Sequence, residues 1–431
     1  MNNKKVWVGL LVALALIGVT LKCELRSDIL GMRYSNIDYL GQVGTWGYLM
    51  DDLVRTVKDV WPKSQKKMEK CIEDFKASRD IIAYDYEETK SIEKIIMIQL
   101  EGIDAVSLDI EVDNDYVMPI LHDLKNKGLY LEHAYDQSGS GRTSDGEFLA
   151  LASLLPIANE SMYLKYSLDR LNTLPKILAE EGYATISIHG YRGSFYNRKN
   201  SHAALGFQES YFLEDLEAEA SEEDYLGWGL SDEFVLNKVF DFISESEGNT
   251  FVHAIMLTNH HPFNATNEFY DDKIFENPES IVENYMNSVR YTDAMPGNLV
   301  KKLEESGIME KTLLVIYSDH DSGITENLYG YLGMEYDAQN KECDRIPILL
   351  YDGQISGTES MIFGQADIAP MILSYIGAYI SENFMGLNYI DGQKVVYKQG
   401  VNIYADETIG YNLFDMAEVT KSFVNYRGKN E

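Results

Sequence analysis

KIIMIQL, residues 94–100, is apolar at every position except Lys94 and Gln99, and three of its seven residues are isoleucine. A run this short, β-branched and nearly continuous in apolar character reads as a strand covered on both faces. The same signature recurs in ATISIH (184–189), FVHAIMLT (251–258), TLLVIYSD (312–319) and IPILLY (346–351). Amphipathic helical stretches lie between these runs, among them LPKILAEEGY (174–183) and YMNSVRYTDAMPGNLVKKLEESG (285–307), the second closing on a glycine. Strands alternating with helices predict an α/β domain built on a central, mostly parallel sheet flanked by helices.

The residues at the strand ends carry the chemistry. Glu101 comes directly after the first strand, His189 ends the second, His260 comes two residues after the third, and Asp319 with His320 closes the fourth. In open α/β sheets, ligands sit beyond the carboxyl ends of the strands, so these side chains converge on one edge. Taken singly, each could cap a helix or pair with a lysine. Gathered at strand ends, Glu101, Asp319 and His320 offer two carboxylates and an imidazole, a set suited to one divalent cation, with Mn2+ or Mg2+ ahead of Zn2+ by ligand type.

SGSGRTSDGEF, residues 138–148, packs hydroxyls and glycines around one arginine before the apolar run LALASLL. Ser144-x-x-Glu147 reads as a capping box, so a helix is expected to start near Asp145 and stop before Pro156. Thr143 then stands just outside that helix N-terminus, where free N–H groups and the dipole favour a phosphate. Its hydroxyl is a weak nucleophile unless a cation lowers its pKa. Gly139 and Gly141 are expected to let the loop approach that ion. A second cluster, HGYRGSFYNRKN (189–200), sets His189, Arg192 and Arg198 beside aromatic side chains and reads as an oxyanion grip. TNHHPF (258–263) adds His260 and His261 at the same edge.

Composition narrows the partners. A formal charge of −32, from 69 acidic and 37 basic side chains, argues against nucleic acid, whose phosphates need a basic footprint. The three cysteines, Cys23, Cys71 and Cys343, show no zinc-finger spacing and no disulfide framework. At the N-terminus, Lys4 and Lys5 precede an uncharged run from Val6 to Leu21, the pattern of a signal peptide or a signal anchor. No A-x-A cleavage pattern comes after it, which favours an uncleaved single-pass anchor over residues 1–23 with the rest of the chain outside. Residues 24–90 keep a helical period interrupted at Pro62 and read as a stalk of two helices packed on the next domain.

GRTSDGEF (141–148), HGYRGSFYNR (189–198), TNHHPF (258–263), YSDHDSG (317–323) and GQADIAPMIL (364–373) occur in an order and at separations that resemble the extracellular domain of the lipoteichoic acid synthases, within the alkaline phosphatase and sulfatase superfamily. The likeness runs over roughly residues 90 to 385. It implies a sulfatase-like catalytic domain over 91–431, extracellular and attached to the cell membrane. It implies that Glu101, Thr143, Asp319 and His320 are metal ligands, that the ion is Mn2+, and that Thr143 is also the nucleophile. His189, Arg198 and His260 resemble the residues that hold the glycerophosphate, and Tyr196 stands where the family pattern has tryptophan. The implied reaction takes glycerophosphate from phosphatidylglycerol, through a phosphothreonine, to a lipoteichoic-acid-type polymer or a glycolipid acceptor. A phosphoethanolamine transferase or a phosphodiesterase of the same superfamily would use the same constellation. No C-x-P-x-R stretch is present to supply a sulfatase nucleophile.

Overall fold

The strand expected at 94–100 forms over Lys94–Leu100 (β1), and all seven of its residues are buried. Alternation divides its side chains between two cores: Ile95 and Met97 enter one apolar cluster, Ile96, Ile98 and Leu100 the other. A strand covered on both faces needs apolar residues at successive positions, each worth about 1.5–3 kcal/mol when fully buried. The computed structural model describes residues 40–41, 44–49, 65–87, 89–158, 160–337, 341–405, 409–411 and 415–426. The expected membrane segment, 1–23, lies outside them, as does most of the first stalk helix. Among the described residues, no helix is long and apolar enough to cross a membrane.

Seven more strands complete the central sheet: Leu129–Tyr135 (β2), Ala184–His189 (β3), Glu209–Tyr211 (β4), Thr250–Ile255 (β5), Thr312–Ser318 (β6), Ile348–Tyr351 (β7) and Gly357–Gly364 (β8). Their spatial order is β8-β2-β7-β6-β1-β5-β3-β4. From β6 through β4 every pairing is parallel, and β8 also lies parallel to β2. The exception to the parallel expectation is β7, antiparallel to both β6 and β2. Ser318 N, at the end of β6, bonds Pro347 O at 3.1 Å, so β7 begins at the carboxyl edge and must run back.

Register then levels the strand ends. Thr312 and Thr250 both pair with Lys94, and Thr250 also pairs with Ala184. Ser318 consequently finishes beside Leu100, and Ile255 beside His189. Residues that sequence spacing put after separate strands are thereby set next to one another.

The helices that matter to the site are Gln65–Ala77 (α1), Thr143–Ala152 (α2), Arg198–Leu205 (α3), Asp232–Glu245 (α4), Ile281–Glu305 (α5), Ile368–Ile376 (α6) and Met416–Asn425 (α7). Buried side chains of α2 and α6 join the cluster that takes Ile95, while those of α4 and α5 join the opposite one. In α5, Ser280 Oγ accepts from Glu283 N at 3.2 Å at the start, and Gly307, at φ 73°, stands past the end as expected. The second stalk helix is α1. It buries Met68, Ile72 and Phe75, and Phe75 meets Phe423 of α7 edge-on with ring centroids 6.2 Å apart.

A second, five-stranded antiparallel sheet was not expected from the sequence. It runs in the order Asp80–Ile81, Asn388–Ile390, Gln393–Lys398, Val401–Tyr404, Ile409–Tyr411. It packs on the β2 and β8 edge, where Val396 and Ile403 meet Tyr135 and Ile362. Its signal was local and short: Asp391 and Gly392, at φ 50° and 79°, make the Asp-Gly turn that suits a two-residue hairpin.

Candidate active site

The level strand ends bring the predicted cation ligands together. Oxygen atoms of Glu101 and Asp319 and a ring nitrogen of His320 all lie within 4.8 Å of one another, and all three residues are buried. Gly102 N donates to Asp319 Oδ1 at 2.8 Å, which leaves Oδ2 buried without a hydrogen-bond partner. His320 Nδ1 lies 2.6 Å from the Asp321 carbonyl oxygen and 3.0 Å from Arg142 Nη2. Its Nε2 faces Glu101 Oε1 at 3.5 Å and Asp319 Oδ2 at 3.4 Å. Asn259 Nδ2 donates to the Glu101 carbonyl at 2.8 Å and fixes that turn from the third strand end. Thr143 Oγ1 donates to Glu101 Oε2 at 3.2 Å, which places the fourth expected ligand against the other three.

Two carboxylates, one with an orphaned oxygen, and an imidazole gathered at one point call for a positive charge between them. Burial pushes the Glu101 carboxyl up to about 7, against the pull of Arg142 and Thr143. Burial and the Glu101 charge push Asp319 up to about 8. Two carboxylates, one imidazole and one hydroxyl fit a divalent cation. The same shifts predict a pH dependence. In the cation-free chain both carboxyls bind protons more tightly folded than unfolded, so on their account stability is greatest in acid. It falls as pH rises from about 4, the unfolded range, through about 7 and 8. Saturating Mn2+ is expected to remove that loss. Melting temperatures from pH 5 to pH 9, with and without Mn2+, check it, and parallel curves would refute it.

The loop leading to Thr143 departs from its expected reading. α2 starts at Thr143 itself, and no capping box forms. Ser144 Oγ instead donates to the Gly141 carbonyl at 2.9 Å, and Glu147 points into the interior. Gly139 and Gly141 approach no ion site; their N–H groups donate to Asp145 Oδ2 at 3.0 and 2.9 Å. A Cβ on Gly141 would lie 2.1 Å from the Asp145 carboxylate, so the glycine makes room for that side chain. Gly146 is the glycine that sets the approach to the site: a Cβ there would lie 2.7 Å from both Cβ and the carbonyl oxygen of Asp319. Its absence lets the helix start rest on the end of β6. Gln99 of β1 donates to the Thr143 carbonyl at 3.3 Å and holds the helix from beneath.

Glu147 belongs to a buried ionic cluster. Arg198 Nε and Nη2 reach its Oε1 at 2.9 and 2.8 Å, and His202 Nε2 reaches its Oε2 at 2.8 Å. Burial opposes the charge, but Arg198 and His202 overcome it and hold the carboxyl well below the usual range. Arg198 keeps Nη1 for His189 Nε2, 3.2 Å away, while His189 Nδ1 donates to the Ile255 carbonyl at 3.0 Å. Burial and Arg198 push His189 down to about 3, so the ring is neutral at pH 7 and orients the guanidinium. Tyr196, at φ 53°, lies with its ring centre 5.2 Å from the Arg198 guanidinium carbon.

These residues line one cavity of about 430 Å3, which holds Glu101, Thr143, His189, Tyr196, Arg198, His260 and His320 together in its wall. Arg192, also expected in the anion grip, is exposed and is not part of that wall. His261 reaches the rim, and His260 stacks on Trp228 with ring centroids 3.8 Å apart. Burial lowers the His260 pKa. Sequence reasoning missed Trp228, Arg142, Asn259 and the Glu147–His202 pair. Two signals were present: a tryptophan between glycines in YLGWGL (225–230), and a lone carboxylate inside the apolar run after Gly146. Gly229 explains the first, since a Cβ there would lie 2.2 Å from the Gly190 carbonyl, against which the hairpin docks through Leu230 N at 2.9 Å.

Lipoteichoic acid synthase 2 of Bacillus subtilis is 25% identical over 375 residues, which cover 84% of this chain and 57% of that protein. Lipoteichoic acid synthase of Staphylococcus saprophyticus is 27% identical, covering 82% and 56%. The chain therefore spans a little over half the length of these relatives. Among solved structures, the lipoteichoic acid synthase LtaP from Listeria monocytogenes superposes with a TM-score of 0.66 at 21% identity, over 82% of this chain and 94% of that one. A Vibrio parahaemolyticus protein of the alkaline phosphatase superfamily gives 0.60 at 18% identity, over 84% and 95%. These two share the fold. The sulfatase family profile matches residues 93–378, from the start of β1 to just past α6, and with that match over most of its length the chain belongs to the sulfatase family.

Proposed function

We propose that this protein transfers glycerophosphate from phosphatidylglycerol to a lipoteichoic-acid-type polymer or glycolipid acceptor, through a phosphothreonine at Thr143. The observation that carries the reading is the Thr143 hydroxyl at a helix start, 3.2 Å from Glu101, in one cavity with His320, Arg198 and His260, with Asp319 grouped beside Glu101 and His320. The named activity of the relatives supplies the substrate class. Glu101, Asp319, His320 and Thr143 would hold the cation, Mn2+ before Mg2+ or Zn2+, which supplies positive charge to acidify a hydroxyl and neutralise phosphoryl oxygens.

The chain's own groups account for the rest. Thr143 Oγ1 already donates its proton toward Glu101 Oε2, so a base stands in place for the attack. As the Oγ1–P bond forms, the bond from phosphorus to the diacylglycerol oxygen breaks. The positive dipole end of α2 and the Arg198 guanidinium stabilise the phosphoryl oxygens. His260, held by Trp228, exchanges the proton of the leaving oxygen and later that of the acceptor hydroxyl. The acceptor then attacks the phosphothreonine and frees Thr143. Water in its place would give hydrolysis. Held at the membrane by residues 1–23, the domain over 91–431 would work on the outer surface.

The test is the full chain with Mn2+ and vesicles containing fluorescent phosphatidylglycerol. Labelled diacylglycerol is expected to accumulate. Release from phosphatidylethanolamine vesicles in its place would move the activity to an ethanolamine headgroup and overturn the proposal.

A further inference from the structure

We infer that Gln365 is a positioning residue that fixes Asp319 against the loop leading to Thr143, through a reciprocal amide pair with Gln137. The inference rests on the function proposed above. Gln365 comes directly after β8 in the stretch GQADIAP, which the catalytic reading leaves without a role. It is fully buried, and its Nε2 donates to the Asp319 carbonyl at 2.7 Å and reaches the Ser318 carbonyl at 3.4 Å. Its Oε1 accepts from Gln137 N at 2.8 Å, five residues after which the chain arrives at Arg142 and then Thr143. One side chain thus bridges the strand end that carries a cation ligand and the loop that carries the nucleophile.

Gln137 returns the bond. Its Oε1 accepts from Ala366 N at 2.9 Å, and its Nε2 donates to the Tyr397 carbonyl at 2.6 Å in the second sheet. Gly364 has no room for a side chain, because a Cβ there would lie 2.3 Å from Gln137 Oε1. The Asp319 peptide is therefore held between the Gln365 amide on one side and Gly146 of α2 on the other. An apolar side chain could fill this space, but it could not donate to the Asp319 carbonyl, so the polar choice sets a position as well as filling a volume.

The same turn is tied to the fold by a contact that touches no cation ligand: Ser153 Oγ donates to the Ala366 carbonyl at 2.5 Å. That contact provides the control. Full-length Gln365→Met and Ser153→Ala are titrated with Mn2+ by calorimetry, and their melting temperatures are measured. Both are expected to melt lower. Only Gln365→Met is expected to bind Mn2+ about 10-fold or more weakly, the usual cost of losing an outer partner of a metal ligand. Gln365→Glu, matched in size but lacking the donor, serves if the methionine variant does not fold. Mn2+ binding by Gln365→Met within twofold of the unaltered chain, or an equal weakening in Ser153→Ala, overturns the inference and leaves the proposed function standing. An unaltered chain that takes up no Mn2+ overturns both.

Discussion

Thr143→Ala is expected to lower turnover by roughly 10^3-fold or more while Mn2+ affinity and melting temperature change little. The substitution removes the attacking oxygen, its bond to Glu101 and the one neutral hydroxyl among the four expected cation ligands. Glu101, Asp319 and His320 remain to bind the cation, and the Gln99 bond is made to the Thr143 backbone, which alanine keeps. Thr143→Ser should recover part of the rate, since it restores a hydroxyl but not the methyl that restricts its rotamer. Rapid quenching of the unaltered chain with phosphatidylglycerol, and then mass analysis of the peptide 138–148, should find glycerophosphate on residue 143. Turnover by Thr143→Ala near the unaltered rate would exclude a covalent route and turn the site toward direct transfer.

Arg198→Met should have the second largest effect, and on two quantities at once. It removes the cation that offsets Glu147 in the interior, leaving a buried carboxylate with His202 alone. Breaking such a pair by removing one partner costs about 3–5 kcal/mol. It also empties the guanidinium position in the cavity wall, so turnover should fall by about 10^2-fold or more. The two roles separate in the double variant Arg198→Met with Glu147→Met. Replacing a whole buried pair by apolar groups is often neutral or stabilising, so stability should return while activity stays low. Glu147 sets the sign with pH. Its carboxyl titrates lower folded than unfolded, so its contribution is present above the unfolded value of about 4.3 and is lost as pH falls toward the depressed folded value. The stability gap between Arg198→Met and the unaltered chain should therefore narrow in acid. Denaturant titrations at pH 7 and pH 3.5 measure it; a gap that is unchanged would place the role of Arg198 elsewhere.

Much of the site was legible because it derives from strand ends. Apolar runs at 94–100, 184–189, 251–258 and 312–319 announce buried strands by composition alone, and the residues at or just past each end are then at the binding edge whatever the details of packing. Glu101, Asp319, His320, His189 and His260 were found in that way. The same logic failed where local and distant partners competed. Ser144 and Glu147 have capping-box spacing, but Glu147 lies 51 and 55 residues from Arg198 and His202, and burial beside those two side chains outweighs an exposed cap. Gly139 and Gly141 were correctly a close approach, but to Asp145 and not to an ion.

Periodicity and turn chemistry act within a few residues, so the amino-acid order by itself marked five strands of the central sheet, the helices between them and the titratable groups at the strand ends. The direction of β7, the second sheet, the stacking of Trp228 on His260 and the bridge from Gln365 to Asp319 were decided only in three dimensions. Each depends on segments far apart in the chain meeting at one register, and the energy of such a meeting comes from shared burial, which no single stretch of sequence contains.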